Sequence, residues 1–190
     1  MSEESKTKPK SATAQSVTHG GDDGAARVMP ADAVLAALAE EFASAEFEVF
    51  EAAGASWDIV TVSVEDYHGF VAAAHASGYT MFVDLCAVDY LRRDPRFEVV
   101  VHIESPSPYT RLRIKVGVTM PDVLVSSISD IYAGANFFER EAFDLMGVNF
   151  SGHPDLTRLL LPDDWEGHPL RKDAATGTVP VQFKASYKAT

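Results

Sequence analysis

From Ala31 onward the apolar residues Val34, Leu35, Leu38 and Phe42 recur at helical spacing in a single stripe, which predicts a first helix. Phe47 to Phe50 and Asp58 to Val64 read as two strands around a turn at Gly54. Ser63-Val64-Glu65-Asp66 resembles a capping box, and Phe70, Val71 and Ala74 continue a second helix that Gly78 can end. Thr80 to Tyr90 is almost continuously apolar and predicts a central strand. Arg96 to Glu104 alternates: Phe97, Val99, Val101 and Ile103 face one way, Glu98, His102 and Glu104 the other. Arg111 to Val118 alternates too, with Leu112, Ile114, Val116 and Val118 inward and Arg111, Arg113 and Lys115 outward. The short connection Ser105-Pro106-Ser107-Pro108 predicts an antiparallel hairpin in which acids face bases across the strands. Helices are predicted over Val125 to Tyr132 and Ala135 to Met146, the second closed by Gly147. This order gives an α+β domain: a largely antiparallel sheet flanked by helices, followed by an extended, irregular C-terminal arm.

Beyond Phe150 the periodicity stops. The segment contains two Gly-His-Pro units, Gly152-His153-Pro154 and Gly167-His168-Pro169, with Trp165 and interleaved Asp and Arg. It has too little apolar periodicity to bury itself, yet it is too rich in ordering residues for a loose tail. It is expected to gain order on another surface, either a partner polypeptide or its own domain, with the partner favoured. The predicted organisation is a disordered leader over 1–29, an α+β domain over 30–150, a partner-binding arm over 151–173 and a flexible tail over 174–190.

Composition removes several function classes. The net charge of −12 argues against nucleic acid, which needs a concentrated basic face. The single cysteine, Cys86, can form no internal disulfide and cannot supply the roughly four thiolates of an iron–sulfur cluster. It is expected to be a small core residue of its strand. No apolar run approaches the ~20 residues of a membrane span, and MSEESKTKPK lacks a signal's apolar core. The product is expected to stay in the cytoplasm, where it could dock on a membrane protein. Phosphate loops, GxSxG elbows, CxxC pairs and Rossmann fingerprints are absent from the sequence.

Four constellations remain. Glu139, Arg140, Glu141 and Asp144 share one helix, where Arg140 and Asp144 can pair at i, i+4. Glu141 and Asp144 could form an acid/base pair, but a solvated or partner-facing edge is the simpler reading. His153, Asp155, His168 and Asp173 are metal-ligand types, but their spacing matches none of the helical HExxH or short zinc-finger patterns. Each histidine precedes a proline, which favours extended backbone and a hydrogen-bonding role. Leu159-Leu160-Leu161 and Trp165, with Arg158 and Arg171, are residue types that anchor interfaces. The Arg111, Arg113, Lys115 stripe reads as a solvated strand face countered by Glu98 and Glu104, or as a docking face for an acidic neighbour.

At these residues the chain resembles the C-type subunit of the respiratory NADH-quinone oxidoreductase, the 30 kDa subunit family of complex I. The likeness rests on Glu139-Arg140-Glu141, Asp144-Leu145-Met146-Gly147, Gly152-His153-Pro154-Asp155-Leu156 and the run Pro162 to Asp173, PDDWEGHPLRKD. Asp84 to Tyr90 and Arg96 to Val100 look like the family's central strands, and coverage runs from about residue 30 to 173. Thr157 stands where the family often has a base, and Ala174-Ala175 replaces an aromatic-Pro continuation. In some bacteria this subunit is fused to the D-type one; the chain here resembles the stand-alone form.

The resemblance implies a structural subunit of the peripheral arm with no catalytic, cofactor or metal residue of its own. FMN, Fe–S clusters and quinone would sit in partner subunits, especially the D-type subunit at the quinone site and Fe–S subunits B and I. The implied docking residues are Glu139, Arg140, Glu141, Asp144, His153, Asp155, Arg158, Asp164, Trp165, His168, Arg171, Lys172 and Asp173. Two alternatives stand beside it: the equivalent subunit of a membrane-bound hydrogenase-type complex, and a free-standing metal-dependent hydrolase using His153, Asp155, His168 and the helix acids.

Overall fold

A computed structural model describes residues 30, 32–52 and 55–174. The expectations for the leader and for the tail beyond Ala174 lie outside these residues.

Helix α1 (Ala33–Glu41) starts where Asp32 accepts hydrogen bonds from the N–H groups of Val34 and Leu35 at 2.8 and 3.1 Å. This satisfies two donors that the first helical turn leaves open. Strands β1 (Glu46–Ala52) and β2 (Ala55–Val62) form an antiparallel hairpin, and α2 (Tyr67–Ala76) follows. The Ser63 hydroxyl accepts from the Asp66 N–H at 3.1 Å, just ahead of that helix. Strands β3 (Met81–Asp89), β4 (Phe97–Pro106) and β5 (Tyr109–Val118) complete a five-stranded sheet of order β1-β2-β5-β4-β3.

The hairpin predicted for the two alternating strands is present: β4 and β5 pair antiparallel, with Glu104 opposite Arg111 and His102 opposite Arg113. Three of the four ladders are antiparallel, but β2 pairs parallel with β5. The sheet is therefore mixed. The path β2-α2-β3 is a crossover that deposits β3 at the far edge, leaving room for β4 and β5 to fill the gap.

Paired positions share a face, and Phe47, Val60, Ile114, Val101 and Leu85 form one continuous buried row across the five strands. Helix α2 lays Phe70 against this row, 6.3 Å from the Phe47 ring and 5.4 Å from Phe42. Each large side chain removed from water there contributes about 1.5–3 kcal/mol.

The opposite face carries a polar ladder. Arg113 Nε donates to His102 Nε2 at 2.7 Å, and His102 Nδ1 meets Asp84 Oδ1 at 2.5 Å. The Arg113 guanidinium lies 5.5 Å from the Trp57 ring, which stacks on Phe50. Arg111 pairs with Glu104, as cross-strand alternation predicts, while Glu98 accepts from the Tyr90 hydroxyl instead of a base.

Two predicted elements differ. Strand β3 is an edge strand in which only Leu85 and Asp89 are buried, and Cys86 is exposed on the polar face instead of buried in the core. Its apolar run has another cause: Phe82 packs on Phe138 of α3 and on Tyr132, so a helix covers one side of this edge. The helix predicted over Val125 to Tyr132 is replaced by strand β6 (Leu124–Ser126) and a turn closed by Tyr132 N–H to the Ile128 carbonyl. Ser127 bonds by its hydroxyl to Glu139 and Ser129, and such side-chain bonding competes with a helix. Helix α3 (Ala135–Met146) follows, then β7 (Asn149–Ser151), which pairs parallel with β6.

Candidate functional site

Helix α3 and the ribbon 152–173 form one unit. α3 ends at Gly147, whose φ of +72° is the left-handed geometry that a glycine adopts without strain. A Cβ there would also collide with the Arg171 guanidinium and the His168 ring. The last carbonyls of a helix have no partner within it. Here the ribbon supplies them. His168 Nδ1 donates to the Asp144 carbonyl at 3.0 Å and Leu170 N–H to that of Leu145 at 3.1 Å. Arg171 Nε donates to the Met146 carbonyl at 2.6 Å and its Nη2 to that of Gly147 at 3.2 Å. The Arg171 charge also opposes the negative end of the helix dipole.

Asp144 fastens the ribbon from the side. Its carboxylate is fully buried and accepts from Arg158 Nη1 at 2.7 Å and from the consecutive N–H groups of Leu159, Leu160 and Leu161 at 3.1, 2.8 and 2.9 Å. Burial alone would push this carboxyl up. The Leu161, Arg158, Leu160 and Leu159 donors outweigh it and bring the pKa down to about 2. Arg140 does not pair with Asp144 as its spacing suggests. It donates across to the Thr157 and Arg158 carbonyls and the Thr157 hydroxyl. Arg158 in turn holds the Trp165 and Gly167 carbonyls.

At the other end of α3, Glu139 is equally buried. It accepts from the Ser127 hydroxyl at 2.6 Å and the Ile128 N–H at 2.8 Å, and stands 3.9 Å from His153 Nε2. Burial raises its pKa, and the two donors only partly oppose this. Nearby, burial and the Glu139 charge push the Tyr67 phenol well above its usual range, and its hydroxyl has no partner among the described residues. The His153 side chain is fully buried: Nδ1 accepts the Asp155 N–H, which leaves Nε2 protonated to donate to the Asn136 carbonyl at 3.2 Å. The expectation of a solvated or partner-facing helix edge therefore fails for Glu139 and Asp144. Glu141 is exposed, so it does not form an acid/base pair with Asp144.

The two histidines sit at opposite ends of α3, tied to residues 136 and 144, about 12 Å apart along its axis. They share no centre. Among the described residues no group of three or more His, Cys, Asp or Glu is placed to hold a metal ion. Both Gly-His-Pro units turn at a left-handed glycine, φ +81° at Gly152 and +87° at Gly167.

A third carboxylate was missed by sequence reasoning. Asp89 is buried on the apolar face of β3, where it accepts from Arg96 at 2.9 and 2.8 Å, from Leu91 N–H and from Lys172 N–H at 2.9 Å. The Arg96 guanidinium holds it well below the usual carboxylate range, and the same guanidinium meets Asp173 at 2.9 Å. The signal was parity: Leu85, Ala87 and Asp89 alternate onto one face, which puts an acid where core is required.

The remaining predicted residues lie outward. Asp155, Asp164 and Lys172 are exposed and Trp165 is half-buried. Leu159, Leu160 and Leu170 are 37%, 60% and 56% exposed. The ribbon's inner side thus belongs to its own domain, and its outer side is apolar and acidic.

The family model described as "Respiratory-chain NADH dehydrogenase, 30 Kd subunit" matches residues 60–179, more than half of the chain. The chain belongs to this 30 kDa subunit family. The C-type subunit of the NADH-quinone oxidoreductase of Roseiflexus castenholzii is 50% identical over 105 residues, 55% of this chain and 60% of that protein. The chain therefore spans less than two thirds of that relative's length. Its counterpart in Geotalea uraniireducens is 44% identical over 137 residues, 72% of this chain and 82% of its own. Among solved structures, a trypsin-resistant fragment of Nqo5 aligns with TM-score 0.53 and 30% identity over 58% of this chain and 89% of the fragment. A chain of an archaeal membrane-bound sulfane sulfur reductase complex aligns with TM-score 0.66 over 83% of this chain and 96% of its own, at 20% identity, a likeness of fold alone. The fold of this chain, a mixed five-stranded sheet with three helices, thus resembles that of the Nqo5 fragment over the aligned part. Among the described residues no helix is long and apolar enough to cross a membrane.

Proposed function

We propose that this chain is a structural subunit of the peripheral arm of a proton-pumping NADH:quinone oxidoreductase, docked at the cytoplasmic side of the cell membrane. In this reading it carries no redox centre. FMN, Fe–S clusters and quinone belong to partner chains, and this chain sits beside the D-type subunit at the quinone site and the Fe–S subunits B and I. Electron transfer from NADH to quinone then depends on it through assembly. The observation that supports this reading best is the ribbon: its arginines and histidines are spent on its own domain, and three leucines and a half-buried Trp165 are left accessible beside it. Exposed apolar side chains on an ordered segment are characteristic of an interface.

The decisive experiment is affinity purification of the tagged full chain from solubilised membranes. Flavin- and Fe–S-bearing NADH-oxidising subunits should accompany it, whereas a hydrogenase-type set or no companions would refute the reading. Trp165→Ala should lower the amount of assembled complex on native gels while the turnover of each remaining complex persists. Losing one buried interface anchor costs about 2 kcal/mol or more.

A further inference from the structure

The ribbon's charges are sorted by side. Its arginines turn inward: Arg158 serves Asp144 and two ribbon carbonyls, and Arg171 serves the end of α3 while lying 5.3 Å from the Phe97 ring. Of its acids, Asp173 pairs with Arg96 and the other four turn outward. Asp155, Asp163, Asp164 and Glu166 are exposed, and no side-chain hydrogen bond or ion pair engages them among the described residues. Leu160 and Leu170 are tethered by their N–H groups to consecutive residues of α3, Asp144 and Leu145, so their exposed side chains emerge at the same end of the helix. Asp163, Asp164 and Glu166 lie on the loop between them. Lys172 is the one exposed base of the segment.

We propose that this outer side of the ribbon, Leu159, Leu160 and Leu170 with Asp163, Asp164 and Glu166, is a preformed docking surface. Its occupant is a polypeptide partner with an apolar hollow rimmed by lysine and arginine. The inference rests on the reading of the chain as part of a complex and names the chemistry of the neighbour that receives it. Charge selects the occupant. A second copy would set like acids against each other, and anionic lipid or nucleic acid would be repelled, whereas a basic rim is attracted and steered. Preformation follows from the inner bonds: the backbone of 159–161 and 168–172 is already fixed on α3 and β3, so docking need not order it.

The test compares the isolated full chain with the assembled membrane complex. Treatment with a carbodiimide and glycine ethyl ester should modify Asp163, Asp164 and Glu166 in the isolated chain and leave them protected in the complex. Carbodiimide alone should join one of them to a lysine of another polypeptide. The variant D163K/D164K/E166K should associate about tenfold more weakly, equivalent to ~1.4 kcal/mol. As an isolated chain it should melt with the wild type. In the isolated wild type, the amides of Leu159 to Leu161 should exchange slowly. Equal labelling in chain and complex, cross-links confined to this chain, wild-type retention of the triple variant or fast exchange at Leu159 to Leu161 would each overturn the proposal. So would binding of the isolated chain to phosphatidylglycerol vesicles, or a dimer that the triple variant abolishes. A chain that joins no complex would bring down the proposed function itself. A chain retained with freely labelled carboxylates would bring down this inference alone.

Discussion

In the sheet domain the inward groups are aliphatic and aromatic: Val60, Phe70, Phe97, Val101, Ile114 and their neighbours, all fully buried. In the ribbon the inward groups are arginines, two histidines and backbone N–H groups, closing on helix carbonyls and on the carboxylates of Asp144 and Asp89. The first region coheres by removing area from water, which tolerates small shifts. The second coheres by directed bonds, each with one geometry and one partner. A carboxylate that loses its donors in such a place remains as an uncompensated buried charge. The two regions should therefore fail separately and under different stresses.

The largest effect is expected in the core. Phe70→Ala should destabilise the whole chain by about 3–5 kcal/mol, visible as a lower denaturation midpoint and as faster amide exchange in sheet and ribbon together. If exchange rose only near α2, the core would be less cooperative than its continuous buried row suggests.

A somewhat smaller and local effect is expected at the helix end. Asp144→Ala removes the acceptor of four donors, and breaking such a buried pair typically costs about 3 kcal/mol. The amides of Leu159 to Leu161 should lose their protection while those of β4 and β5 keep theirs. Loss of protection throughout would show that the ribbon and the sheet fold as one unit.

The smallest effect is a pH dependence, and its sign separates the two ends of α3. The Asp144 carboxyl is depressed to about 2 in the folded chain. Its stabilising contribution is thus present above the ordinary carboxylate value near ~4 and disappears as pH falls through about 2. Glu139 is raised, so its contribution is full below the ordinary value and is lost as pH climbs through the folded one. Trp165 fluorescence in a Trp57→Phe chain should therefore report ribbon release on acidification below ~4, with no release on the neutral side. A midpoint near the ordinary carboxylate value would mean that Asp144 is not held by its four donors.

Much of the domain was legible from alternation. Phe97 to Ile103 and Leu112 to Val118 face the core as their parity requires, and the Glu104–Arg111 pair follows from their register. Gly147 closes α3 as the sequence predicts. Three places misled. Apolar β3 read as central because periodicity does not say whether a strand is flanked by strands or by a helix. Val125, Ile128 and Tyr132 kept a helical spacing that Ser127 cancels by bonding sideways. Glu139 and Asp144 read as surface because charged side chains seldom lie fully inside unless paired, and their partners lie at residues 127–128 and 158–161. Such partners are invisible to a window of neighbouring residues.

By itself the sequence determined the α+β class, the apolar faces and the presence of an irregular arm with a family likeness, because local propensity and side-chain parity act over a few residues. Tertiary structure alone decided the parallel β2–β5 pairing, the burial of Asp89, Glu139 and Asp144, and the turning of the ribbon's arginines inward and of four of its five acids outward. Those outcomes depend on which distant N–H groups and guanidinium groups reach a carboxylate once the chain has closed, and a hydrogen bond has no reach along the sequence.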